Sequence, residues 1–286
     1  MVIMLFRKIT AKEYVFNQMK YRFRIFFKDY EEFVSNNELG YSRGVNKASG
    51  KAMSYKNYLI RLFIFTEEIS KINISNPISI ETYKMIENIK LINGYQEYNK
   101  SEHYFPNATI NYFLSYVSKE LMEQEFIMDS LSDQIVDFNF DNNAYTDLFI
   151  EEDIQTPIKK TEPILLNEVY KYKRNILEVK KAKIKSNWTC ENDDNHITFI
   201  NNYDKKPFIE AHHLIPMATQ GLFEYSIDFA DNIICLCPTC HKRIHYGVKT
   251  DKSEMISKFY KDRIDKIKRF NIDASIKDIE IFYNIN

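Results

Sequence analysis

Six histidines occur in this chain of 286 residues, and four of them fall in two short stretches, "FIEAHHLIPMATQ" and "DNIICLCPTCHKRIHYG". Three of the four cysteines share the second stretch. Cys237 and Cys240 are two residues apart at the expected start of a helix, a spacing that lets two thiolates meet one ion while the helix end favours their ionised form. A closed zinc site needs four ligands, and the upstream segment "CENDDNH" offers Cys190 and His196. These four make a Cys₃His set for a structural Zn²⁺. Cys235 sits two residues before Cys237 in a strand-like run, where it is either a fourth ligand in place of His196 or part of the core. No thioredoxin-like pattern surrounds the cysteine pair, so redox chemistry is set aside.

The histidines ask for a second centre. His241 and His245 are four apart and share one side of a helix. Cys240 and His241 lie about 100° apart around the helix axis, so one helix can serve both centres. His212 and His213 are adjacent on a strand and face opposite ways, unless the strand is ending, which Pro216 allows. One acts as a metal ligand and the other as a base.

The order of "EAHHLIP" and then "DNIICLCPTCHKRIH" resembles the HNH nuclease motif, and "CENDDNHITF" resembles the upstream piece of its zinc-stabilised bacterial members. The resemblance covers about residues 186–247. It implies a ββα-metal domain, with His212 at the first metal ligand and His213 at the general base. Asn232 stands at the middle asparagine that braces the loop carrying the base. His241 and His245 complete the metal set. Many HNH proteins have aspartate where His212 stands, and imidazole suits Ni²⁺, Zn²⁺ or Mn²⁺ better than Mg²⁺; the catalytic divalent ion is left open among the four. Glu210, two residues before His212, can face the same side but is kept out of the core set.

Several elements must position these residues. "HITFI", "PFIEAHHLI" and "IICLC" read as short strands, followed by a helix with Pro238 in its first turn and Gly247 closing it. "EPILLNEVYKYKRNILEVKKAKIKSN" reads as a lysine-rich helix and "KSEMISKFYKDRIDKIKRF" as an amphipathic one. Upstream, "EYVFNQMKYRFRIFFKDYEEFV", "SYKNYLIRLFIFTEEI", "NPISIETYKMIENIK" and "PNATINYFLSYVSKELMEQEF" repeat apolar residues at helical spacing. The fold class is therefore α+β: a mostly helical N-terminal domain over 1–128, an acidic linker over 129–160, and a C-terminal ββα-metal HNH domain with a structural zinc site over 161–286. Residues 129–157 carry eight acidic side chains and no basic one. Such a strip is expected to be solvated, and the alternative is a decoy lying across a phosphate-binding groove.

The composition narrows the class. No apolar run approaches the ~18 residues of a membrane span. The first residues lack a signal-peptide pattern, so a cytoplasmic protein is expected. The implied activity is metal-dependent hydrolysis of phosphodiester bonds in double-stranded DNA, in restriction or anti-phage defence, by a monomer or a homodimer. Lys242 and Arg243 beside the metal ligands, and Lys47, Lys51 and Lys56 in the N-terminal half, are candidate phosphate contacts. Two other classes remain in view: a non-catalytic zinc-ribbon module that binds nucleic acid, and a nuclease toxin.

Overall fold

The computed structural model of the chain describes residues 5–39, 50–139, 156–166 and 169–285. They form two compact units, Met1–Val117 and Ser118–Asn286. Among the described residues no helix is long and apolar enough to cross a membrane.

The first unit is helical, as its periodicity predicts: α1 (Tyr14–Arg22), α2 (Arg24–Leu39), α3 (Gly50–Ser70), α4 (Ile80–Asn88), α5 (Tyr95–Ser101) and the start of α6 (Phe105–Asn139). The run expected as one helix over 13–34 is broken at Phe23, which leaves helical geometry with φ −117° and ψ 38°. Helix α3 buries Leu59, Ile60, Leu62, Phe63, Ile64 and Phe65 almost all the way round, the mark of a central helix. Phe26 stacks on Phe63 at 5.6 Å, and Tyr30 and Phe113 close the same aromatic core. Ser79 starts α4 by accepting a hydrogen bond from the Thr82 N–H, which satisfies one of the end donors a helix leaves open.

The boundary between the units falls inside α6, so the start of the expected linker over 129–160 is helix, while residues 140–155 lie outside the described residues. Residues 129–139 are helix, and Asp129 and Asp133 are buried. Glu125, Asp129 and Asp133 recur every four residues and so share one helix face. That face is turned into the second unit rather than toward water.

The second unit holds the hairpin β1 (Ile164–Leu166) and β2 (Val169–Lys171), then α7 (Ile176–Lys185). The long helix expected here starts only at Ile176, because Asn175 caps it through the Leu177 N–H and the residues before it are strand-favouring Ile, Val and Tyr. Strand β3 (Glu210–His213) pairs antiparallel with β4 (Ile233–Leu236), placing His212 opposite Ile234 and His213 opposite Ile233. Helix α8 (Pro238–Tyr246) follows β4 directly, completing the expected ββα unit, and α9 (Lys249–Lys268) and α10 (Ile276–Phe282) end the chain. "HITFI" makes only an isolated bridge, Ile200 to Pro207. Its Ile197 and Phe199 are exposed, so no buried face sets a register for a strand.

Helix α7 packs on the β3–β4 ribbon through Val179, Ala182, Ala211, Ile233 and Cys235. Each fully buried aliphatic side chain there contributes about 1.5–3 kcal/mol. Cys235 belongs to this core, where burial pushes its thiol up to about 12. Cys235 also lies outside the group of four that could hold an ion, which supports the packing reading.

Candidate metal and catalytic centres

Cys190, His196, Cys237 and Cys240 bring one ligand atom each to within 4.8 Å of one another. The His196 Nδ1 lies 3.5 Å from the Cys237 Sγ and 3.4 Å from the Cys240 Sγ. A tetrahedral Zn²⁺ with bonds of roughly 2.0–2.3 Å has ligand–ligand edges of about 3.3–3.8 Å, so the donor set fits that ion. All four cysteines of the chain are free of disulfides. Burial would raise the Cys190 thiol, but backbone N–H groups of Cys237 and Asp193 outweigh it and bring it down to about 7. The Cys240 thiol is pushed up to about 12, first by burial and then by its neighbours Cys190 and Cys237. Crowded thiolates repel, and a divalent cation removes that conflict. Local sequence builds the site: Cys237 is the N-cap of α8, Pro238 follows in the first turn, and the Cys237 Sγ accepts from the Cys240 N–H. Gly247 closes α8 as expected; a Cβ there would meet the Arg243 carbonyl oxygen at 2.5 Å.

The second cluster lies on the other side of α8. The His245 Nε2 is 3.1 Å from the His212 Nδ1 and 3.2 Å from the His241 Nε2. The Asp129 Oδ2 joins them, at 3.4, 3.6 and 4.0 Å from the nitrogens of His212, His241 and His245. Hydrogen bonds at the outer nitrogens of His212 and His241 turn their inner ones toward this point, whereas the outer Nδ1 of His245 is buried without a partner. The His212 Nε2–H donates to the Tyr283 hydroxyl at 2.6 Å, and that hydroxyl donates onward to the carbonyls of His213 and Leu214. The His241 Nδ1–H donates to Glu210 at 3.0 Å. Glu210 therefore faces the cluster, as the partner that orients His241. Burial lowers His212 to about 4 and His245 to about 2, the latter helped by His212 and His241. Asp129 and Glu210 overcome burial at His241 and raise it to about 9. The buried Asp129 Oδ2 has no hydrogen-bond partner. Three imidazole nitrogens and an unpartnered carboxylate oxygen turned toward one point fit a divalent cation, which would take the place of the proton that the acids favour on His241.

His213 reaches the same carboxylate from the end of β3. Its Nδ1 is 3.5 Å from the Asp129 Oδ1 and 3.4 Å from the Arg174 guanidinium. Its Nε2–H donates to Asp228 at 2.9 Å. Burial alone would lower this imidazole, but Asp129 and Asp228 prevail and raise it to about 9. Adjacent strand residues thus approach one carboxylate from two sides, because β3 ends at His213. Asn232 ties the following loop down: its side chain accepts from the Ile215 N–H and donates to the carbonyls of Ile215 and Ile227. Arg174 pairs with Asp129, and with Glu125 at 2.9 Å. Glu125, Asp129 and His213 also cluster, but Arg174 already meets their charge.

Residues 194–248 match the HNH endonuclease family. The C-terminal unit holds an HNH endonuclease domain. The matched segment contains both histidine pairs, Asn232, His196, Cys237 and Cys240, and leaves out Cys190, Asp129, Arg174 and Tyr283. The chain is also 29% identical over 119 residues to the type IV methyl-directed restriction enzyme EcoKMcrA of Escherichia coli strain K12. That similarity covers 41% of this chain and 40% of the relative's length.

Of the cations expected near phosphate, Lys242 is exposed on α8, whereas Arg243 is held by Asp251 at 3.2 Å and Glu254 at 3.8 Å. In the first unit Lys51 is exposed, Lys56 pairs with Glu31 at 2.6 Å, and Lys47 lies outside the described residues. Arg61, from the same surface, donates to the Ile9 carbonyl at 2.8 Å. Sequence reasoning missed Asp129, Arg174, Asp228 and Tyr283 around the HNH centre. The four-residue recurrence of acids in "EQEFIMDSLSD" is the one signal that points to Asp129.

Proposed function

We propose that this chain is a DNA endonuclease of the restriction kind that hydrolyses phosphodiester bonds at the three-histidine centre. The observation that carries this reading is the convergence of His212, His241 and His245 beside the His213–Asp228 pair, inside the segment that matches the HNH family. A divalent ion held by the three histidines would supply electrostatic stabilisation of the phosphate and the leaving oxygen. His213 acts as the general base in its neutral form, which a cation beside Asp129 would favour by offsetting that carboxylate: its Nδ1 takes a proton from water, and the hydroxide attacks phosphorus as the bond to the 3′ oxygen breaks. Asp228 holds the other ring nitrogen and so fixes the tautomer that leaves Nδ1 free to accept. Asn232 braces the loop that carries the base. Arg174, buried beside the His213 Nδ1, is placed to contact a phosphate oxygen. Cys190, His196, Cys237 and Cys240 hold a structural Zn²⁺ that orients α8.

The relative's methyl-directed action makes modified DNA the substrate to try first. Purified protein is incubated with methylated and unmethylated plasmid and each of Mg²⁺, Mn²⁺, Ni²⁺ and Zn²⁺. The expected result is cleavage that needs a divalent ion and disappears in His213→Ala, with zinc content and folding kept. Cleavage by His213→Ala at the wild-type rate would remove the base assignment. No cleavage under any condition, with DNA still bound, would favour a non-catalytic binding module.

A further inference from the structure

Asp129 is the member of the HNH centre that comes from outside the ββα unit. Its side chain is 1% exposed. Its two oxygens have different surroundings: Oδ2 lies among the ligand nitrogens of His212, His241 and His245, while Oδ1 contacts Arg174 and lies 3.5 Å from the His213 Nδ1. A phosphodiester about to be cut needs the same two places, one non-bridging oxygen at the metal ligands and another on a cation beside the base. Both groups are anions with two oxygens on one centre. A four-ligand protein set is also what closed metal sites have, whereas catalytic ones keep a position open.

The carboxylate is held there by the rest of its helix face. Glu125, one turn earlier, accepts from the Met217 and Ala218 N–H groups. Asp133, one turn later, accepts from the Ala211 N–H and pairs with Lys183 at 2.9 Å. Asp129 lies between these two anchors and is the one of the three with an oxygen that has no hydrogen bond.

We propose that Asp129 stands in the place of a DNA phosphate, bridging the three-histidine metal site and Arg174, so that the resting protein is closed to substrate until this carboxylate is displaced. The proposal rests on the reading of the three histidines as the site of the catalytic ion. Binding at the centre is then weakened by the fraction of molecules in the open state.

The test uses the full chain with its zinc in place. Co²⁺ titration without DNA reads the second site. Binding of a short DNA duplex is read in a His213→Ala background, which cannot cut, and plasmid cleavage is read with His213 intact. Asp129→Ala is expected to weaken Co²⁺ binding by about tenfold or more, to tighten duplex binding by about tenfold, and to speed cleavage. Glu125 still faces Arg174 in this variant. Should Asp129→Ala fail to fold, Asp129→Asn keeps the acceptor for Arg174 and gives up the charge, and the same three changes are expected. Weaker Co²⁺ binding with unchanged or weaker duplex binding and slower cleavage would overturn the proposal and make Asp129 a permanent ligand. Unchanged Co²⁺ binding would overturn it by taking Asp129 off the metal. If the wild-type chain takes up no Co²⁺ beyond its zinc, the three-histidine reading itself falls, and the proposal with it.

Discussion

Replacing Asn232 with alanine isolates the side chain that ties down the loop after His213. Asn232 is fully buried, and its side chain makes hydrogen bonds of 2.9, 3.0 and 2.8 Å to the Ile215 N–H, the Ile215 carbonyl and the Ile227 carbonyl. Alanine leaves all three backbone groups without that partner inside the protein. Each such buried group costs about 1–3 kcal/mol. The two carbonyls fall at the low end, because an oxygen with two lone pairs tolerates a poor environment better than an N–H does. A destabilisation of about 4 kcal/mol results, large against the usual effect of a point substitution. At about 2–4 °C per kcal/mol for a domain of this size, the HNH unit should melt about 8–16 °C lower. Thermal unfolding by calorimetry on zinc-loaded protein is the assay. The control is Asn202→Ala, whose exposed side chain accepts from the Lys205 ammonium and should shift stability by less than about 0.5 kcal/mol. The loop from Leu214 directly follows His213, the proposed base, at the end of β3, so a displaced backbone should slow cleavage by about a hundredfold. Melting of Asn232→Ala within about 3 °C of wild type would refute the reasoning, since three buried orphans cannot be that inexpensive.

Cys237→Ser should empty the knuckle and unfold the HNH unit, because Cys237 is the N-cap of α8 as well as a proposed zinc ligand, and metal binding in so small a module is folding energy; zinc analysis and circular dichroism check this, and unchanged zinc would contradict it. Tyr283→Phe leaves the His212 Nε2–H without its acceptor, and should weaken ion binding at the three-histidine centre by about 10–100-fold with knuckle zinc unchanged; a Mn²⁺ titration identical to wild type would count against it. Alanine at Lys47, Lys51 and Lys56 together should weaken DNA binding and flatten its salt dependence. The log–log slope should fall by less than the about 2.7 of three full phosphate contacts, because Lys56 is already paired with Glu31. Binding with an unaltered slope would move recognition away from that surface.

The proposed zinc knuckle is legible in the sequence because its candidate ligands are local. Cys237 and Cys240 are fixed by one helix turn, and Cys190 and His196 by a short loop, so spacing alone nearly determines which atoms can meet. The same holds for His241 and His245, and for the β3–β4 ribbon, whose apolar residues and turn signals pair over a short separation. What the sequence does not decide is which face of a helix is buried. Acids four residues apart look the same on a solvated helix and on one inserted into a protein, and the charge of residues 129–157 favours the solvated reading. Only the packing of α6 against β3, Arg174 and Lys183 removes Asp129 from water and leaves its Oδ2 among three histidines. Arg174, Asp228 and Tyr283 are hidden from the sequence for the same reason. Each acts through a partner far along the chain, and a buried ion pair or a hydrogen bond to an imidazole leaves no periodic trace in composition. Local spacing determined which residues can bind a metal, and long-range burial decided which groups orient them and which carboxylate closes the site.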